Sequence, residues 1–131
     1  MVDKKNYGKA NRAKGHNAER LYAERFRELG YKFCKTSRQA SRLHDDAGID
    51  LMFIPYNVQI KAGKQRGLNP IAELKSMEEK ITTLFPEDSV EHKQPNIVIL
   101  EKAVGRGKRR NKYDSVVVIS FEDFKQFIKK E

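Results

Sequence analysis

Residues 48–62, GIDLMFIPYNVQIKA, decide the fold. Two short apolar runs, GIDLMFI (48–54) and VQIKA (58–62), flank the turn-forming tripeptide Pro55, Tyr56, Asn57. That pattern predicts two strands joined as a hairpin. Strand alternation sends Ile49, Leu51 and Phe53 to one face and leaves Asp50 on the other with Met52 and Ile54. In the second strand the same period separates Val58 and Ile60 from Gln59 and Lys61. Hairpin pairing then brings Asp50, Gln59 and Lys61 together. On a half-buried sheet an acid, an amide and an ammonium are costly unless they are paired or hold an ion.

Working outward, GHNAERLYAERFREL (15–29) places Ala18, Leu21, Tyr22, Phe26 and Leu29 along one helical face, and Gly30 stands where a helix ends. Arg25 falls in the middle of that apolar face, which periodicity does not explain. YKFCKTS (31–37) reads as a strand and RQASRLHDDAG (38–48) as a polar loop. After the basic, Gly-containing loop 63–70, IAELKSMEEKITTLF (71–85) is helix-like, and Pro86 stops it. NIVIL (96–100) and SVVVI (115–119) are short and β-branched, as buried strands are. FEDFKQFIKK closes the chain as a helix with Phe121, Phe124, Phe127 and Ile128 on one face. The order is α-β-β-β-α-β-β-α, an α/β fold with a mixed sheet flanked by helices.

At 131 residues the chain fits one domain. Residues 1–14 carry five basic residues and little apolar periodicity, which reads as a flexible basic arm, leaving 15–131 as a single domain. Twenty-seven Lys and Arg face 18 acids, a formal charge of +9, and the polyanion this calls for is most economically a nucleic acid. No stretch approaches the roughly 20 apolar residues of a spanning helix, and none resembles a signal peptide, so a cytoplasmic protein with no membrane partner is expected. Cys34 is the only cysteine, which excludes an intramolecular disulfide and a cysteine-rich zinc site. The scattered His16, His44 and His92 do not form a zinc pattern.

Phosphodiester hydrolysis gives the 50/59/61 group a purpose. A hard Mg²⁺ ion takes carboxylate and amide oxygens, and a nearby ammonium orients water or offsets developing negative charge. Asp50 would be the ligand and Lys61 the group on the water or phosphate side. Glu19 lies seven residues before Phe26 and so points nearly the same way, toward the sheet. It either completes the site or remains a first-turn acid that favours the helix dipole. Asp45, Asp46 and His44 either join this site or form a solvated turn.

The series K-G-x-x-A-E-R at Lys14 to Arg20, a strand ending at Ser37, G-I-D-L at 48–51 and Q-I-K at 59–61 resembles the archaeal-type Holliday junction resolvases, and more broadly the PD-(D/E)xK nuclease superfamily. The motifs cover residues 14–62; beyond them the likeness is in element order alone. It implies a restriction-endonuclease-like core and a Mg²⁺-dependent endonuclease, with Mn²⁺ as a substitute. It also implies a homodimer acting on branched DNA in recombination or repair. The helix glutamate falls on Glu19, the metal aspartate on Asp50 and the lysine on Lys61, so that catalysis would rest on Glu19, Asp50, Gln59 and Lys61, and metal binding on the first three. Ser37 matches a serine often found near the resolvase site. Ile49 stands where the proline of the PD pair would be, which leaves the ligands unchanged. Gln59 replaces the acid of (D/E)xK, removing a negative charge while keeping a side-chain oxygen.

For DNA contacts the expected residues are Lys14, Ser37, Lys64 and Arg66, together with Arg106, Lys108, Arg109, Arg110 and Lys112 in a loop whose charges share one sign. Three functions stay open. They are a junction-resolving endonuclease, small enough to suit a phage; another endonuclease of the fold acting in restriction, repair or at transposon ends; and a catalytically silent nucleic-acid-binding module.

Overall fold

The computed structural model describes residues 4–63, 67–103 and 107–130, and of residues 4–14 the backbone alone. Helix α1 spans Lys4–Glu28, strand β1 Lys35–Thr36, helix α2 Ser37–Ala40 and helix α3 Arg42–Asp46. Strand β2 spans Leu51–Met52, β3 Asn57–Gly63, helix α4 Pro70–Leu84, strand β4 Asn96–Lys102, β5 Ser115–Ile119 and helix α5 Phe121–Ile128. The fold is mixed α/β.

Local chemistry sets the boundaries of the longer elements. Helix α1 ends at Gly30, whose φ of 113° suits a glycine cap, and the Tyr31 amide folds back on the Phe26 carbonyl. Asn69 caps α4 by accepting from the Ile71 and Ala72 amides, Pro70 pre-sets the first turn, and Pro86 follows its end. Ser120 caps α5 through the Asp123 amide. Strands β3 and β4 run parallel with α4 as their crossover, and β5 returns antiparallel to β4. Strand β1 pairs antiparallel with β2, Thr36 opposite Leu51.

Asp50 joins the two sheets. Its carbonyl accepts from the Ser37 amide at 2.8 Å, and its own amide donates to the Val58 carbonyl at 2.7 Å. Helix α1 packs on one face of the three-stranded sheet, where Ala18, Tyr22 and Ala23 meet Val58, Ile60, Ile97 and Ile99. Helix α4 covers the other face, burying Met77 and Ile81 with Ile49, Ala47 and Val98. Each fully buried aliphatic side chain contributes about 2 kcal/mol of transfer free energy, so the sheet that carries Asp50 is held from both sides.

Several expectations change. The segment read as an arm is helical from Lys4, eleven residues before the helix start expected at Gly15. The strand expected over 31–37 shrinks to two residues, and the polar loop after it winds into α2 and α3, the latter capped by the Ser41 hydroxyl on the His44 amide. The hairpin expected between 48–54 and 58–62 is not a ladder. Strand β2 is two residues long, Phe53 adopts a φ of 65°, and Ile49 and Leu51, expected on one face, pack into different core clusters. The cause is Asp50: its backbone links Ser37 to Val58 in the sheet plane, so the chain crosses from one face to the other at that residue. Arg25 is explained too, because its guanidinium lies over the Tyr22 ring at 4.8 Å and 3.9 Å from the buried carboxylate of Glu101.

Candidate functional site

The site begins at a glycine. Gly48 has φ 80°, and a Cβ there would stand 3.0 Å from Nε2 of Gln59. The backbone turns at this point because no side chain intervenes. Asp50 follows, 8% exposed, and its Oδ2 accepts the Ile60 amide at 2.7 Å. The carboxylate therefore replaces a carbonyl of a neighbouring strand along the free edge of β3. Burial pushes the Asp50 carboxyl up to about 7; the Ile60 hydrogen bond opposes the rise, the negative charges of Glu19 and Asp45 add to it, and Lys61 pulls it down.

Gln59 and Lys61 point to the α4 side of β3. Lys61 Nζ lies 3.6 Å from Oε2 of Glu73 in the first turn of α4. The Gln59 side-chain oxygen is buried and has no hydrogen-bond partner among the described residues, and the same holds for the hydroxyl of Ser37, itself fully buried. Unpaired buried oxygens usually cost about 1–3 kcal/mol each, so two of them flanking Asp50 are an unmet demand for a ligand.

Glu19 is buried at 5% exposure and held by Arg38, whose Nε donates to Oε2 at 2.9 Å and whose Nη2 donates to Oε1 at 3.4 Å. The first-turn acid in water is thus overturned in position, since Glu19 faces the sheet. His44 steadies the loop before Asp50: Nδ1 shares a 2.7 Å hydrogen bond with the Ser41 hydroxyl, Nε2 lies 2.9 Å from Oε1 of Glu91, and the Ile49 amide donates to its carbonyl. Burial would raise the Glu91 carboxyl, but the His44 hydrogen bond and its own backbone amide outweigh that and leave it below the ordinary value.

Of the expected site residues, Glu19 and Lys61 are close enough to act on the Asp50 carboxyl, Gln59 adjoins the Ile60 amide that holds Asp50, and Ser37 is bonded to Asp50 through its backbone. Lys108, Arg109 and Lys112 are exposed, as phosphate contacts would be. Arg110 is not available in the same way, because its guanidinium hydrogen-bonds Glu101 and the Ser115 hydroxyl. Lys64, Arg66, Arg106 and the side chain of Lys14 lie outside the described residues.

Three residues were missed. Arg38 gives no sequence signal, being 19 positions from its partner. Glu73 looks like any first-turn acid. Glu101 was readable: it continues the NIVIL run in phase with Ile97 and Ile99, so a carboxylate had to face the α1 core, where Tyr22, Arg110 and Ser115 hydrogen-bond it.

The residues fit a hard divalent cation through the carboxylate of Asp50 and the unpartnered oxygen of Gln59, with Glu19 as a third donor now engaged by Arg38. Among the described residues no three His, Cys, Asp or Glu side chains group as a ready metal centre; here one donor is an amide. No family model, curated protein or solved structure matches the chain. Among the described residues no helix is long and apolar enough to cross a membrane.

Proposed function

We propose that this chain is a metal-dependent DNA endonuclease with a PD-(D/E)xK-type site, acting on branched DNA such as a four-way junction. One observation carries the reading. A buried aspartate is hydrogen-bonded to the Ile60 amide at a strand edge, and the residues on either side of Ile60 are a glutamine whose buried oxygen is unpartnered among the described residues and a lysine.

Asp50 and Gln59 would hold Mg²⁺ or Mn²⁺, with Glu19 as the further donor. When bound, such an ion supplies Lewis acidity to the scissile phosphoryl oxygen and eases deprotonation of water. Lys61, kept in place by Glu73, orients the attacking water or offsets negative charge developing on phosphorus oxygens. Ser37 is fully buried and is tied to the site through its backbone bond to Asp50. A groove of about 430 Å³ lined by Asn17, Arg20, Glu24, Arg27, Thr36 and Gln39 would take a flanking phosphodiester strand through Arg20 and Arg27. Lys108, Arg109 and Lys112 add sequence-independent phosphate contacts.

A homodimer, implied by the family resemblance, has support in the exposed apolar face of α5, formed by Phe121, Phe124, Phe127 and Ile128. Sedimentation as a monomer at micromolar concentration would count against it. The second reading, a binding module without catalysis, is favoured by the missing charge at Gln59 and by the Arg38 hold on Glu19.

The test is cleavage of a four-way junction and a matched linear duplex, with and without Mg²⁺ or Mn²⁺, by the wild type and Asp50→Ala. Metal-dependent paired nicks on the junction, lost in Asp50→Ala, are the expected result. Cutting of the linear duplex points to another endonuclease of this fold. Binding without any cleavage overturns the catalytic reading.

A further inference from the structure

Among the described residues, Arg38 is a cation near Asp50 that neither metal binding nor water activation uses. It is the second residue of α2, after the buried Ser37, and its fork engages both oxygens of Glu19. The two partners differ in exposure: the Glu19 side chain is almost fully buried, whereas that of Arg38 is 45% exposed. The ion pair is therefore anchored at the carboxylate and open at the guanidinium. The positive charge of Arg38 also acts on Asp45 and Asp50, so it serves the whole acidic group.

We propose that Arg38 is the resident counter-cation of this site, neutralising Glu19 until a divalent cation enters and then turning its freed guanidinium to a phosphate oxygen of the bound DNA. The inference rests on the metal-site reading and assigns Arg38 a role within it. Glu19 cannot serve Arg38 and a divalent cation equally, because the two cations repel at close range and draw on the same oxygens. Arginine suits the exchange, since its planar fork matches a phosphate as well as it matches a carboxylate. The guanidinium already reaches solvent, and turning outward uncovers no core side chain. Gln39, the residue after Arg38, lines the groove that carries Arg20 and Arg27, on which a phosphodiester strand would lie. The exchange couples the two ligands with opposite signs: Arg38 weakens metal binding in the free protein and strengthens DNA binding.

Arg38→Gln and Arg38→Lys test this with two readouts that do not require cleavage. The first is Mn²⁺ affinity of the DNA-free protein, followed by electron paramagnetic resonance. The second is affinity for a fluorescent four-way junction in Ca²⁺. For Arg38→Gln, Mn²⁺ affinity is expected to rise about tenfold and junction affinity to fall about tenfold, the ordinary scale of coupling between linked sites. Arg38→Lys keeps the charge and loses the fork, so its Mn²⁺ affinity stays near wild type while its junction affinity falls. Unchanged or weaker Mn²⁺ binding in Arg38→Gln overturns the proposal, as does unchanged junction affinity in both variants. Asp50→Asn separates the two levels. If it abolishes Mn²⁺ binding while Arg38→Gln changes nothing, only the role of Arg38 falls. If Asp50→Asn also binds Mn²⁺ like the wild type, the metal site and the proposal fall together. Should Arg38→Gln unfold, the lysine variant retains the decisive contrast between metal and junction affinity.

Discussion

Replacing Asp50 by Asn should make the metal-free protein more stable while removing its metal site, and the gain should depend on pH in a defined way. The Asp50 carboxyl moves from an ordinary 3.8 to about 7 in the fold, chiefly because burial disfavours its charge. A carboxyl raised on folding contributes its full stability below the unfolded value and loses it as pH climbs to the folded one. At about 1.4 kcal/mol per pH unit, the ionised wild type gives up about 4 kcal/mol by pH 7 and no more beyond it. Asn is uncharged at every pH and keeps an oxygen to accept the Ile60 amide. The advantage of Asp50→Asn should thus be small at pH 4, about 2 kcal/mol at pH 5 and about 4 kcal/mol at pH 8. Urea unfolding in EDTA reads this directly; with a slope of about 2 kcal/mol per molar, the midpoint moves by about 2 M at pH 8. Adding Mg²⁺ should stabilise the wild type by mass action and leave Asp50→Asn unmoved. A gain of equal size at pH 4 and pH 8, or a loss at pH 8, would refute the claim that a buried, ionised Asp50 strains the fold.

Three further outcomes follow from the same geometry. Gln59→Glu adds a charge at the unpartnered oxygen and should reach half-maximal cleavage at lower Mg²⁺; a higher requirement in a metal titration counts against Gln59 as a ligand. Gly48→Ala forces a side chain into a φ of 80° and pushes the Gln59 amide by a few tenths of an ångström. It should cost about 1–3 kcal/mol in urea and weaken Mn²⁺ binding, whereas unchanged metal affinity would separate Gly48 from the site. Glu101→Gln leaves Arg25 and Arg110 without their carboxylate and should cost about 2 kcal/mol, the lower end for a broken buried pair because both arginines are more than a third exposed. A neutral result in calorimetry removes Glu101 as the anchor of this end of β4.

What could be read from the sequence follows from where the forces are local. Helix α4 was legible because Asn69, Pro70 and Pro86 punctuate it and Met77 and Ile81 repeat at helical spacing. Strands β4 and β5 were legible as β-branched runs, but only β4 is buried as expected: β5 lies at the sheet edge with Val116 and Val117 exposed. The parallel pairing of β3 with β4 is what a helix between two such runs requires. Residues 31–48 were not, because their conformation answers to distant partners: Ser37 to Asp50, Arg38 to Glu19 and His44 to Glu91. The alternation used for 48–54 presumed a paired strand on each side, and it broke where the Asp50 side chain itself took up a hydrogen-bonding position along β3. Gln59 and Lys61 were placed correctly on one face because β3, unlike β2, is seven residues long and pairs with β4 along its whole length.

The charges of the site explain why an amide at position 59 is tolerable. Asp50 already carries the field of Glu19 and Asp45, which adds to burial, the chief cause that brings its carboxyl close to neutral pH. An acid at position 59 would add a third negative charge beside the Ile60 amide, and the metal-free fold would bear a larger electrostatic cost. Gln59 supplies an oxygen without that charge, Arg38 offsets Glu19, and Glu73 steadies Lys61. The arrangement lowers the cost of the empty state and gives up metal affinity in return. On this logic Gln59 and Arg38 act in the same direction, so Gln59→Glu combined with Arg38→Gln should bind metal more tightly than either alone, and fold less readily without it.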